Sequence, residues 1–202
     1  QKPDVIIHTA NNANARWCEA NPEQAKLLNQ DATQHIVDSA NKIKAKVIYI
    51  SSMIAVNPTN LYGQTKVTSE NIVKQTKAGY LILRPSLILG FSPNMTNDRP
   101  FNRILKSLES TEKVEYDTSW KFQPTYIRHV SEVIKQAIDK NIFGHIIPVQ
   151  VEDLKSRFDV AQDILKPFNI QVHPIDMKDT SSSVTNPSAL LKELNFPTYT
   201  YS

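Results

Sequence analysis

The sequence predicts an α/β fold, a parallel sheet covered by helices and followed by a lobe of mixed elements. Short apolar runs rich in β-branched residues recur as PDVIIHTA, AKVIYIS and YLILRPS. Stretches with helical apolar spacing separate them. Apolar strands joined by helical crossovers make a parallel sheet buried on both faces, with right-handed crossovers.

The elements follow in order. PDVIIHTA reads as a buried strand and NNANAR as a loop. Asn21, Pro22 and Glu23 supply a cap, a proline at the first helical position and an acid in the first turn. The helix after them turns Ala25, Leu28, Ala32, Ile36, Val37 and Ala40 inward. AKVIYIS is the second strand and ends at Ser51 and Ser52. A loop with Asn57 and Pro58 leads to a helix from about Leu61 to Lys77, Gly79 ends it, and YLILRPS is the third strand.

After Gly90 the character changes. FSPNMTNDRP is a polar loop, Phe101 to Ser110 a short helix, and KVEYD a strand. HVSEVIKQAIDKN is a helix with Val130, Val133, Ile134, Ala137 and Ile138 inward. HIIPVQ reads as a strand, Leu154 to Phe168 as helix, IQVHPID as a late strand and NPSALLKELNF as a small capped helix, with DTSSSVTNP a loop. Residues 1–90 therefore form the sheet half and 91–202 mainly a second lobe, with some elements returning to the sheet.

The 202 residues are 40% hydrophobic and 21% charged, enough apolar content for a core and unlike a disordered chain. A net charge of +3 without a basic cluster argues against nucleic acid as a partner. No apolar run approaches the ~20 residues that span a membrane, and the N-terminus has no signal-peptide layout. Cys18 is the single cysteine, which excludes an internal disulfide and a cysteine metal cluster and makes a reducing, cytoplasmic setting the default. His8, His35, His145 and His173 show no metal-site spacing.

The chemistry is carried by NLYGQTKVTSEN. Tyr62 and Lys66 lie four apart and share a helical face. Ser52 ends the preceding strand, on the side where open parallel sheets bind ligands. A Tyr-x-x-x-Lys pair alone is an ordinary surface pair. Strand, Ser-Ser, short loop, pair at a helix start and a strand ending in RPS together favour a functional geometry. The Lys66 charge would lower the Tyr62 pKa from about 10 and let the phenol exchange a proton with a carbonyl or alcohol. Ser52 would hold the same oxygen.

The ordered set KPDVIIHTA, CEANPEQAKLLNQDAT, VIYISS, LYGQTKVTSENIV, LILRPSLILG and QPTYIRHVSEVIKQAI resembles the extended short-chain dehydrogenase/reductases, most closely the dTDP-4-dehydrorhamnose reductases. The resemblance implies a partial Rossmann-type sheet with a smaller α+β substrate-binding lobe. It implies Tyr62 as proton donor to a substrate carbonyl, Lys66 as tuning charge and ribose ligand, and Ser52 as third member. Thr9 and Ala10 match the segment beside the cofactor, and Pro85 and Ser86 the turn that passes the nicotinamide. NADP or NAD is the implied cofactor and a nucleotide-linked keto-sugar the implied substrate. Arg99 and Arg103 are candidates for a substrate phosphate, and Gln123 for the sugar site. Trp17 and Cys18 are read as packing residues.

The match has gaps. The glycines Gly63, Gly79, Gly90 and Gly144 form no G-x-G-x-x-G, so the glycine-rich turn that seats the pyrophosphate is absent. The sequence is expected to start at the family's fourth strand, lacking one βαβαβ half of roughly 50–60 residues. These residues alone are expected to be inactive. VIIHTA would then be an exposed apolar edge, either dimeric, aggregation-prone or covered by a further segment. Met53 and Ile54 stand where dehydratases carry acids. Arg128 and His129 stand where relatives open a helix with aspartate; His129 is read as a helix-start or surface residue. A non-catalytic binding or regulatory subunit and a sugar-nucleotide epimerase are the alternatives.

Overall fold

The computed structural model describes residues 2–91, 99–179 and 187–201. Four parallel strands make the main sheet: β1 (Val5–His8), β2 (Lys46–Ile50), β3 (Tyr80–Pro85) and β8 (His145–Val149), in the order β1-β2-β3-β8. Ile48 stands opposite Ile7 on one side and Leu81 on the other, and Leu83 opposite Ile147, so the apolar runs lie in register. Both faces are covered. Ile48, Leu81, Leu83 and Ile147 pack with Val130, Val133 and Ala137 of α6 (Ile127–Asp139) and Leu191 of α8 (Pro187–Glu193). Val47, Tyr49 and Ile82 pack with Val37 and Ala40 of α3 (Ala32–Ile43) and Val73 of α4 (Leu61–Val73). Strand side chains alternate between faces, so one run of apolar residues feeds two cores.

The first crossover differs from its expected form. Part of the predicted loop is helical, as α1 (Ala15–Ala20), with Asn14 accepting from the Trp17 amide. The long helix is three pieces: α2 (Pro22–Lys26), a π-turn at Leu27–Asp31, and α3. The wider turn shifts the inward face. Leu28, expected inside, is exposed, and Asn29 and Thr33 are buried in its place. Helix α4 ends at Val73 rather than Lys77, because the chain turns through Thr76, whose hydroxyl bonds the Val73 carbonyl. On α6, Val130, Val133 and Ala137 are buried as expected, but Ile138 is 40% exposed. His129 is not a surface residue. It is fully buried, stacked on Tyr199, with Nε2 against the Pro197 carbonyl.

The lobe has its own apolar cluster. Leu89, Phe101, Ile104, Val114, Phe122, Val160, Leu165 and Val172 pack together. Its sheets are two-stranded. β4 (Ile88–Leu89) pairs with β7 (Thr125–Tyr126), β5 (Val114–Asp117) with β10 (Val172–Ile175), and β6 (Lys121–Phe122) with β9 (Lys155–Ser156). Helix α5 runs Pro100–Lys106, four residues short of the expected end at Ser110, and α7 runs Arg157–Leu165 behind a Ser156–Asp159 capping box. Lys155 and Ser156, expected in that helix, are strand instead. Gly90 sits where β4 meets α6; a Cβ there would lie 2.4 Å from Cγ2 of Ile127. The DTSSSVTNP and FSPNMTNDRP loops fall largely outside the described residues. Among the described residues, no helix is long and apolar enough to cross a membrane.

Candidate active site

The carboxyl ends of β1, β2 and β3 face one edge, and α4 starts beside it. Asn60 caps α4 by accepting from the Gly63 amide at 2.9 Å, and Glu19 of α1 accepts from the Leu61 amide at 2.7 Å. These bonds fix the helix start that carries Tyr62. Ser52 is extended and caps the short 3-10 turn Met53–Ala55 by accepting from the Ile54 amide, and its hydroxyl lies near enough to the Tyr62 phenol to favour the phenolate. Ser52 and Tyr62 are therefore together, as expected.

Lys66 lies deeper than its spacing suggested. It is fully buried, and its Nζ donates to the Ile50 carbonyl at 2.8 Å and to the Tyr49 hydroxyl at 3.1 Å. The ammonium is 4.6 Å from the Tyr49 ring centroid and 5.8 Å from that of Tyr62. Burial pulls the ammonium pKa down to about 7, with Glu70 opposing. The expected lowering of the Tyr62 pKa is corrected. Burial pushes the phenol up to about 12, and the nearby Ser52 hydroxyl and the Arg99 charge only partly offset it. Taking the phenolate out of water costs more than those neighbours return.

Around Lys66 lies a polar network that the sequence reading missed. His8 Nε2 meets Thr33 Oγ1 at 2.9 Å, and burial and the Lys66 charge lower its pKa. Asn29, on the π-turn, accepts from the Asn12 amide at 2.8 Å and donates to Thr65 Oγ1 at 3.3 Å. Its carbonyl accepts from Thr33 at 2.8 Å and Ser69 at 2.6 Å. The π-turn leaves that carbonyl available to side chains. Nothing in the apolar spacing around Leu27 and Leu28 announced it, and Glu70 was missed as well, although its place four residues after Lys66 on one helical face was a signal that could have found it.

The other candidates divide between the sheet's carboxyl edge and the lobe. Thr9 and Ala10 follow β1 and are exposed, Pro85 ends β3, and the Ser86 amide donates to Thr125 Oγ1 at 2.9 Å. Thr9 and Ala10 stand exposed at the carboxyl end of β1, next in the sheet to β2, whose Ile50 carbonyl holds the buried Lys66; Tyr62 itself is half-buried. Arg99 precedes α5, close enough for its charge to act on Tyr62, and Arg103 is exposed on α5. Gln123 is buried, with Nε2 on the Glu152 carbonyl at 3.2 Å. Cys18 is buried within electrostatic reach of the Tyr62 phenol. Among the described residues, no group of three or more His, Cys, Asp or Glu could hold a metal.

A parallel sheet with Ser, Tyr and Lys gathered at its carboxyl edge defines a Rossmann-type protein of the dehydrogenase/reductase class. The chain belongs to the RmlD substrate binding domain family, whose profile matches residues 1–192. It is 29% identical over 154 residues to methionine adenosyltransferase 2 subunit beta of Xenopus tropicalis, covering 70% of this chain and 46% of that protein. It is 32% identical over 103 residues to an Escherichia coli dTDP-4-dehydrorhamnose reductase, covering 43% of this chain and 34% of the enzyme. The chain thus spans about half the length, or less, of these relatives. Its fold matches the crystal structure of dTDP-4-dehydrorhamnose reductase from Bacillus anthracis in complex with NADP, with a TM-score of 0.83 at 20% identity, over 98% of this chain and 76% of that one.

Proposed function

We propose that this chain is the catalytic and substrate-side part of an NAD(P)-dependent reductase of a nucleotide-linked keto-sugar. The observation that carries the reading is the gathering of Ser52, Tyr62 and a buried Lys66 at the carboxyl edge of the sheet, with Lys66 Nζ on the Ile50 carbonyl and 5.8 Å from the Tyr62 ring centroid. Family membership and the NADP complex of a fold neighbour support it. Tyr62 hands its proton to the carbonyl oxygen while Ser52 donates to the same oxygen and orients it. A phenol pushed up to about 12 carries its proton at neutral pH, and that proton leaves readily only with positive charge brought near the ring. Lys66 supplies positive charge below the ring and reaches for a ribose. Thr9, Ala10, Pro85 and Ser86 line the path of the cofactor, which supplies the hydride when bound. Arg99, Arg103 and Gln123 are the substrate-side candidates.

The test is turnover of a keto-sugar nucleotide with NADPH by the full-length protein and its Tyr62→Phe variant. Loss of turnover with substrate binding retained supports the reading, and unchanged turnover rejects Tyr62 as the acid. A second reading, a subunit of a larger assembly, is favoured by one finding: the relative named as a methionine adenosyltransferase subunit matches more of this chain than the reductase does. Full-length protein that binds NADPH yet turns over no keto-sugar nucleotide would support that reading.

A further inference from the structure

Below the proton-transfer site lies a buried charge cluster that the proposed chemistry does not use. Glu70, one helical turn after Lys66 on α4, is 2% exposed. Its Oε1 accepts from Ser51 Oγ at 2.5 Å and from Arg84 Nε at 2.9 Å, and its Oε2 from Arg84 Nη2 at 2.6 Å. Each donor neighbours a candidate site residue in sequence: Ser51 precedes Ser52, and Arg84 precedes Pro85. A two-pronged guanidinium–carboxylate pair is directional as well as strong. One carboxylate therefore ties the carboxyl ends of β2 and β3 to α4.

We propose that Glu70 is a positioning residue for the site: its bonds to Ser51 and Arg84 lock Ser52, Lys66 and Pro85 into one frame. The inference rests on the reductase reading for its kinetic arm alone. The groups that face Lys66 are Glu70 and Tyr62 from α4, Tyr49 and the Ile50 carbonyl from β2, and His8 from β1. Of these, Glu70 is the one whose charge opposes the effect of burial on the ammonium. Removing a negative charge favours the neutral amine, so the Lys66 titration should move to lower pH.

The experiment follows the Lys66 13Cε resonance against pH in lysine-labelled full-length protein, assigned by its disappearance in Lys66→Met. Glu70→Gln is expected to lower the midpoint by about one pH unit, whereas Glu70→Asp, which keeps the charge, leaves it in place. With a keto-sugar nucleotide and NADPH, the alkaline limb of the kcat profile should fall by the same amount in Glu70→Gln. Glu70→Asp should keep that limb and lower kcat at every pH, because a shorter carboxylate cannot span Ser51 and Arg84 together. An unmoved Lys66 midpoint in Glu70→Gln overturns the proposal, even if the variant melts earlier. If Glu70→Gln does not fold, Glu70→Asp decides: a displaced midpoint there overturns the proposal, and an unmoved midpoint with lowered kcat supports it. If the wild type turns over no substrate, the reductase reading fails while the resonance still tests the Glu70–Lys66 link.

Discussion

The sheet half and the lobe hold their buried polar groups differently. Around α4, residues from distant parts of the chain share partners: His8 with Thr33, Asn29 with Thr65 and Ser69, Glu70 with Ser51 and Arg84. In the lobe, turns and caps closed over a few residues stand beside longer links that end mostly on backbone, as from Gln123 to the Glu152 carbonyl. Asp117 accepts from Ser119 and Trp120 and from the Met177 amide, and Ser156 and Asp159 cap one helix. The lobe buries aromatic and aliphatic surface instead, with Trp120 stacked on Phe122 at 4.6 Å. A long-range polar network buries charge, which costs stability but creates reactive groups. Local caps shape a surface without changing its chemistry.

The sharpest way to break this comparison is at Tyr62. Tyr62→Phe is expected to reduce turnover by about 10²–10⁴-fold with no loss of folded protein, measured by keto-sugar-dependent NADPH oxidation and by thermal melting. Next, Leu83→Ala on the fully buried third strand should cost about 2–5 kcal/mol, and Leu165→Ala, fully buried in the lobe, a similar amount. Urea denaturation followed by far-ultraviolet circular dichroism measures both. Two transitions, each moved by one variant, would show that the halves unfold separately.

A smaller effect is expected at Asp117. Burial raises its pKa, but the Ser119 hydroxyl and the amides of Ser119, Met177 and Trp120 outweigh that and hold it well below the usual carboxylate range. A depressed folded value stabilises above the unfolded pKa of about 4. That stability should fade as pH drops from there through the folded value. Asp117→Ala should cost about 1–3 kcal/mol at pH 7 and flatten the acid limb of a stability-against-pH curve. The smallest effect is at Ile7, 46% exposed on the edge strand β1. Ile7→Lys should leave the melting temperature nearly unchanged and abolish any self-association seen by light scattering.

Sequence and structure agree best where patterns are long. All four sheet strands and α4 announce themselves, because runs such as VIIH, KVIYI, YLILRP and HIIPV have one solution when buried on both faces. Ser52, Tyr62 and Lys66 were legible from order and spacing along that frame. The depth of Lys66 was not, since a shared helical face says nothing of which side is buried further. Two-residue strands such as Lys155–Ser156 carry too few residues for a period to show. The burial of His129 depends on Pro197 and Tyr199, almost seventy residues on, which no local pattern reveals.

The π-turn at Leu27–Asp31 also bears on how this chain tolerates change in length. A π-turn behaves as a helix with one residue inserted. Deleting Gln30 would let the segment relax to a regular helix with both flanks kept in register, but the bulge itself would be lost. Ala25 would stay in the interior, while Asn29 would lose its hold on Asn12 and Thr65. Substitutions on the exposed Leu27 and Leu28 should therefore be absorbed, while a single-residue deletion between them and Thr33 should unseat the floor beneath Lys66.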